Sequence, residues 1–129
     1  MRAILGPICA LLLLVACEQP KLAESQSIVV YFEENSATVD DDAAKVIEQA
    51  VRFAKASPKA NVTIQGYAAA DWGKQAYNMS LSQARAAAVA DSMVKAGIAR
   101  ERIRIDPQGA TPFGMVPLES RRVEITISE

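Results

Sequence analysis

The chain opens on an apolar stretch. After Arg2, the residues from Ala3 to Ala16 are apolar except for Gly6, Pro7 and the soft Cys9. This is short of the roughly 20 apolar residues of a transmembrane helix, but it suits the hydrophobic centre of an export signal behind a positive start. Residues 18–27 are polar and aperiodic and read as a tether. Ile28 to Phe32 is a continuous apolar, β-branched and aromatic run, the pattern of a buried strand. Asp40, Asp41 and Asp42 then stand where a helix begins, at its positive dipole end. Ala43, Val46, Ile47, Ala50 and Ala54 follow at helical spacing until Ser57-Pro58 stops the run.

Val62 and Ile64 alternate with Thr63 and Gln65 in a second strand that ends at Gly66. A second helical region covers about Lys74 to Ala96, with a break expected near Ser80–Ser82. Ser82 would cap its longer part, with Ala84, Ala88 and Met93 on the apolar side. Gly97-Ile98 has the form of a C-terminal cap. Ile103 and Ile105 mark a third strand, closed by Pro107; Val123, Ile125 and Ile127 mark a fourth. The order β-α-β-α-β-β predicts an α+β domain, one mixed sheet with helices packed on one face.

Composition narrows the chemistry. Fourteen Lys and Arg face fifteen Asp and Glu; losing residues 1–16 removes only Arg2 and leaves 13 against 15, a net charge of -2. That balance, with no basic run, argues against nucleic acid as a partner. Histidine is absent, which removes the commonest general base and a common metal ligand. The two cysteines, Cys9 and Cys17, lie within or beside the leader, so no disulfide framework or cysteine metal cluster is expected. The Asp40–Asp42 run lacks the glycine and terminal glutamate of an EF-hand loop, and a helix start explains it better. No cofactor is called for.

The leader ends Leu14-Val15-Ala16-Cys17, which resembles a lipobox, where bacterial lipoproteins are acylated and then cut before the cysteine. The resemblance implies a signal peptide over residues 1–16, a lipidated Cys17 with a tether to residue 27, and a domain over residues 28–129. The alternative is an ordinary signal peptide cut near Ala16. Acyl chains such as palmitate bind a bilayer at roughly 0.8 kcal/mol per buried CH₂, so several on one cysteine anchor stably. Glu18 rather than aspartate beside the cysteine points, by similarity to lipoprotein sorting in enteric bacteria, to the outer membrane, with the domain in the periplasm.

Further along, Tyr31-Phe32 with Asn35-Ser36-Ala37, then Gly66-Tyr67, Tyr77-Asn78, Leu81-Ser82, Arg85-Ala86, Gly97-Ile98, Arg102-Ile103 and Arg121-Arg122-Val123-Glu124-Ile125 form an ordered series. It resembles the OmpA-like C-terminal domain family, from about Val30 to Ile127. The resemblance implies non-covalent binding of peptidoglycan through the diaminopimelate of its stem peptide. A carboxylate can take the ammonium of that residue, and a guanidinium its carboxylate through two parallel hydrogen bonds. The family arginine falls on Arg85; Asn78 and Arg121 fall on other pocket positions. The family's acid falls on Ala69. The loop from Gly66 to Asn78 is one residue longer than usual, so Asp71 is the candidate to swing in. The connection from Pro112 to Arg121 is shorter than usual, and Ser120 replaces an asparagine.

Plainer readings stand beside these. Arg85 could be a solvated helix arginine, Asp71 a loop charge and Asn78 a local turn residue. Of Arg121 and Arg122, neighbours on a strand, one must face away from any pocket. Tyr67 and Trp72 are either core or platform for an apolar or sugar surface. The leading expectation is therefore a non-enzymatic lipoprotein tying the outer membrane to the cell wall. A second is an interaction module for envelope proteins on the same fold, favoured by a tether that spans only about 35 Å when stretched. A third, an enzyme using Asp106 and Glu101, lacks anything to orient them. Cys17→Ser should leave an unprocessed precursor or a soluble form. Intact-mass measurement should find the wild type beginning at an acylated Cys17; an unmodified chain beginning elsewhere would refute the lipid anchor.

Overall fold

The computed structural model describes residues 25–69, 75–111 and 117–129. The leader, Cys17, Asp71 and Trp72 lie outside them. The elements run β1 (Gln26–Tyr31), α1 (Asp41–Ala56), β2 (Asn61–Ala68), α2 (Gln75–Lys95), β3 (Ile103–Ala110), α3 (Pro117–Ser120) and β4 (Arg122–Ser128), with a 3-10 turn at Arg100–Arg102 before β3. The sheet order is β1-β4-β2-β3. β4 runs antiparallel to both β1 and β2, and β2 pairs with β3 in parallel, so the sheet is mixed as the pattern predicts.

Strand alternation decides what the core contains. Val62, Ile64, Val123, Ile125 and Ile127 are fully buried, while Thr63, Gln65, Glu124 and Thr126 take the opposite face. Helix α1 adds Ala43, Ile47, Ala50 and Ala54, and α2 adds Ala86, Val89, Ala90 and Met93.

Both helix ends carry the devices the sequence announces. The Asp40 carboxylate accepts the Ala43 N–H at 2.7 Å, the N-cap bond that satisfies an orphan donor. At the far end α1 stops at Ala56, before Ser57-Pro58. There Arg102 donates to the carbonyls of Ala54, Ser57 and Ala60 at 2.8, 2.8 and 3.0 Å, filling acceptors that the helix cannot use itself. Gly97, at φ 104°, ends α2: its N–H bonds Val94 O, and Ile98 N–H bonds Met93 O, both at 3.0 Å. That pair of bonds is a Schellman motif.

Four expectations are corrected. Helix α2 is continuous from Gln75, and Ser82 lies inside it rather than capping it. Its hydroxyl is occupied within the fold, as described below. β3 continues through Pro107 to Ala110; as an edge strand it tolerates a residue with no N–H, and an extra residue, Gln108, bulges where Gly66 pairs with Pro107 and Tyr67 with Gly109. β1 begins at Gln26, two residues inside the stretch read as tether. It is also an edge strand rather than a buried one, with Tyr31 49% exposed.

α2 lies hard against β2 at one point. A methyl group added to Gly66 would collide with the Ser82 carbonyl oxygen and crowd the Ala86 side chain. Only a residue without Cβ lets helix and strand approach this closely. Gly66→Ala should lift α2 from the sheet and cost at least about 2 kcal/mol, read as a lower urea midpoint.

Candidate functional site

Helix α2 buries one stripe, Asn78, Ser82, Arg85, Ala86, Val89, Ala90 and Met93. Its C-terminal half is apolar and belongs to the core; its N-terminal half is polar. Buried polar groups need partners, and the partners found here define the site.

Arg85 is fully buried. Its Nε donates to Ser36 O at 2.7 Å, and its two terminal nitrogens donate to Tyr67 O and Glu33 O, each at 3.0 Å. The guanidinium also lies 5.6 Å from the Phe32 ring centroid. One side chain thus joins the β1–α1 loop, the end of β2 and α2. Burial lowers its pKa, with a further lowering from the nearby Arg121 charge. A guanidinium carries five N–H donors, and these bonds use three.

The loop that Arg85 holds is a tight turn. Ser36 N–H returns to Glu33 O at 3.2 Å, and Asn35 sits at φ 50°, the left-handed region that asparagine tolerates better than most residues. The Tyr77 hydroxyl, from the first turn of α2, donates to Asn35 Oδ1 at 3.1 Å. Ser82 Oγ donates to Met79 O at 2.8 Å and accepts the buried Gly109 N–H at 3.0 Å, fixing α2 to the bulge of β3. Nearby, Thr111 N–H bonds Ala68 O at 3.0 Å and its hydroxyl bonds Ser120 Oγ at 2.6 Å. Ser120, in place of the expected asparagine, is thus part of a buried hydroxyl pair.

The structure brings Arg85 and Arg121 within electrostatic reach and puts Asn78 on the same helix stripe, two turns before Arg85. Asn78 is 5% exposed, and its side chain makes no hydrogen bond among the described residues. Arg121 is half-buried, and its carbonyl accepts the Phe32 N–H at 2.8 Å. Ala69 follows β2 directly, half-buried. Asp71 falls outside the described residues.

The arginine that faces away is Arg122. Its guanidinium lies 4.1 Å above the Tyr67 ring on the helix-free face of the sheet, and its Nε meets Glu124 at 2.8 Å. Tyr67 is therefore neither core nor bare platform. Its pKa is raised, first by burial and then by Glu124, so the hydroxyl stays neutral under Arg122. Arg102, Gly66 and Ser82 were not singled out as structural anchors by the sequence pattern; a glycine ending an apolar strand and a serine on a buried helical stripe were the available signals. Among the described residues no group of acidic, cysteine or histidine side chains could hold a metal ion, and no helix is long and apolar enough to cross a membrane.

Residues 31–114 match the model of the OmpA family. The chain is 39% identical over 83 residues to Outer membrane protein 40 of Porphyromonas gingivalis, covering 64% of this chain and 22% of that protein. It is 35% identical over 107 residues to Probable lipoprotein YiaD of Escherichia coli, covering 77% and 48%. The chain therefore spans less than half the length of these curated relatives. Among solved structures, the OmpA-like domain of FopA1 from Francisella tularensis superposes with a TM-score of 0.73 at 32% identity, covering 81% and 72%. The peptidoglycan-associated lipoprotein from Burkholderia pseudomallei gives 0.72 at 24% identity, covering 78% and 90%, a likeness of fold.

Arg85→Met should cost on the order of 3–5 kcal/mol in urea unfolding, because it removes a buried guanidinium and its three charge-assisted bonds to main-chain carbonyls. Arg100→Ala, which breaks an exposed pair with Asp91, should cost less than about 1 kcal/mol in the same assay.

Proposed function

Because the chain belongs to the OmpA family, we propose that it is an outer-membrane lipoprotein, anchored through Cys17, that binds peptidoglycan through the diaminopimelate of its stem peptide. The supporting observation is Arg85, a buried cation with two N–H groups beyond those spent on the three carbonyls and no carboxylate partner among the described residues. A ligand carboxylate supplies the missing negative charge. Arg121 adds to the positive field, and the Asn78 amide offers a donor and an acceptor on the same stripe. Asp71, from the longer loop, is the group proposed to meet the ligand ammonium. Names among the relatives, including a peptidoglycan-associated lipoprotein of Brucella melitensis at 29% identity over 75 residues, support an envelope role.

Ala69 at the acid position favours a second reading, an interaction module for envelope proteins on the same fold. Sedimentation of the full chain with diaminopimelate-type sacculi separates the two. The wild type should sediment and be released by free diaminopimelate. Arg85→Lys, verified as folded by circular dichroism, should bind at least tenfold more weakly, since lysine lacks the planar fork. Asp71→Asn should weaken binding nearly as much, and if it has no effect, Ala69→Asp should strengthen binding. Wild-type protein that stays in the supernatant beside a sedimenting peptidoglycan-associated lipoprotein would leave the interaction module.

A further inference from the structure

The two edges of the sheet are treated differently. β3 is blunted: it carries Pro107, the Gln108 bulge, Gly109 at φ 74° and the charged Arg104 and Asp106. These are the devices by which edge strands avoid pairing with other chains. β1 has none. Gln26-Ser27-Ile28-Val29-Val30-Tyr31 holds no proline, glycine or charge, and its six residues pair with β4 in unbroken register. Its apolar run has the composition of a strand covered on all sides, yet among the described residues nothing pairs with its outer edge.

Which groups the edge offers follows from the ladder. Phe32 N–H donates to Arg121 O, and N–H and C=O of each residue in an antiparallel strand point the same way, alternating along it. Ile28, Val30 and Phe32 therefore face β4, and the main-chain groups of Ser27, Val29 and Tyr31 face outward. Beside them, between β1 and the start of α1, lies a cleft of about 240 Å³. Val29, Tyr31 and Val46 give it apolar walls, and Glu33, Asp40 and Asp42 give it an acidic rim. Asp40 is held by its N-cap bond and Asp42 meets only the exposed Lys45 at 3.4 Å, so the rim stays negative.

We infer that the β1 edge is a docking site for an extended segment of a partner protein, one that alternates aliphatic side chains and carries a lysine or arginine at the end beside Glu33. The segment adds a fifth strand to the sheet. Its main chain pairs with Ser27, Val29 and Tyr31, its inward aliphatic side chains rest on Val46, and its cation meets the acidic rim. Main-chain pairing supplies affinity, and the alternate pockets and charge supply selectivity. A second copy of this chain fits less well, because its own β1 is uncharged and offers nothing to the acids. This site adjoins the proposed peptidoglycan pocket through Glu33, whose carbonyl Arg85 holds, but its docking groups lie along the β1 edge rather than on the α2 side of the β1–α1 loop.

Panning a random dodecapeptide library against the full chain tests it. Enriched peptides should alternate aliphatic residues with a terminal basic group, and binding them should slow hydrogen exchange at the Ser27, Val29 and Tyr31 amides. Methylating alternate amide nitrogens of a selected peptide should lower affinity at least tenfold with no change in the protein. Val29→Pro should do the same: position 29 donates no bond to β4, so proline removes only an outward N–H. Glu33→Lys with Asp42→Lys should weaken binding severalfold and flatten its salt dependence. Sedimentation with sacculi should not respond to Val29→Pro. The inference falls if no peptide is enriched, if the selected peptides are indifferent to N-methylation, or if they are acidic. It also falls if the three amides are already protected in the free chain, which would mean the chain's own N-terminal residues or a second copy cover the edge.

Discussion

The Arg85 guanidinium is the interaction on which the upper half of the domain depends. Its partners, Glu33, Ser36 and Tyr67, are 52, 49 and 18 residues away along the chain. None of these carbonyls belongs to a helix, and two lie in the tight β1–α1 turn, where Glu33 O also takes the Ser36 N–H. A buried carbonyl left without a donor costs more than a typical bond gains. One planar cation with donors on three nitrogens serves all three at once, which an ammonium on a flexible stem does less well. The position of the β1–α1 loop relative to α2 is thus set by one side chain, and Tyr77 bonded to Asn35 holds the same two elements at the exposed rim.

Arg85 reaches those carbonyls only because α2 sits so close to the sheet. Gly66 permits the approach, and Ser82, one turn before Arg85, fixes its height by taking the Gly109 N–H that the bulge in β3 leaves over. Gly109 in turn needs a positive φ and has Met79 packed against it. Strand bulge, helix serine and strand glycine form one unit, and the buried arginine is its consequence. Arg102 repeats the device at the opposite end, where three carbonyls around the end of α1 converge on one guanidinium.

Local rules carried the sequence reading a long way. The alternation in β2 and β4, the Asp40 cap, the stop at Ser57-Pro58 and the Gly97 cap are each decided by neighbours within a few residues, and each is found in the fold. The misreadings share a cause. Ser82 carries the chemistry of a cap, but its hydroxyl is claimed by Gly109, 27 residues on. Pro107 signals a strand end, yet nothing local tells that β3 lies at an edge, where a missing N–H is harmless. Ile28–Phe32 reads as a buried strand because hydrophobicity reports that a surface is covered, not what covers it. For the candidate site, the family pattern singled out Arg85 and Asn78, which the structure places on the buried stripe of α2, whereas the three carbonyls around Arg85 are main-chain groups that no residue type encodes.

A structural role for Arg85 does not compete with a ligand role. Carbonyl dipoles and the Phe32 ring solvate a buried cation, but they do not cancel its charge, and the nearby Arg121 charge acts on it in the same direction as burial. A charge held in the interior without an opposite charge raises the energy of the folded state. The lowered pKa of Arg85 expresses the same cost, with burial as its larger cause. On the proposed ligand role, a carboxylate must first gain access to Arg85, which has no exposed surface, and then meets a guanidinium whose position the fold has already fixed. The three carbonyls hold the fork rigid, so the arginine need not lose rotamer freedom on binding. Ala69 carries no charge where the family pattern has an acid, so in the proposed site the carboxylate half of the ligand has Arg85 to meet among the described residues, while the ammonium half depends on Asp71, which lies outside them.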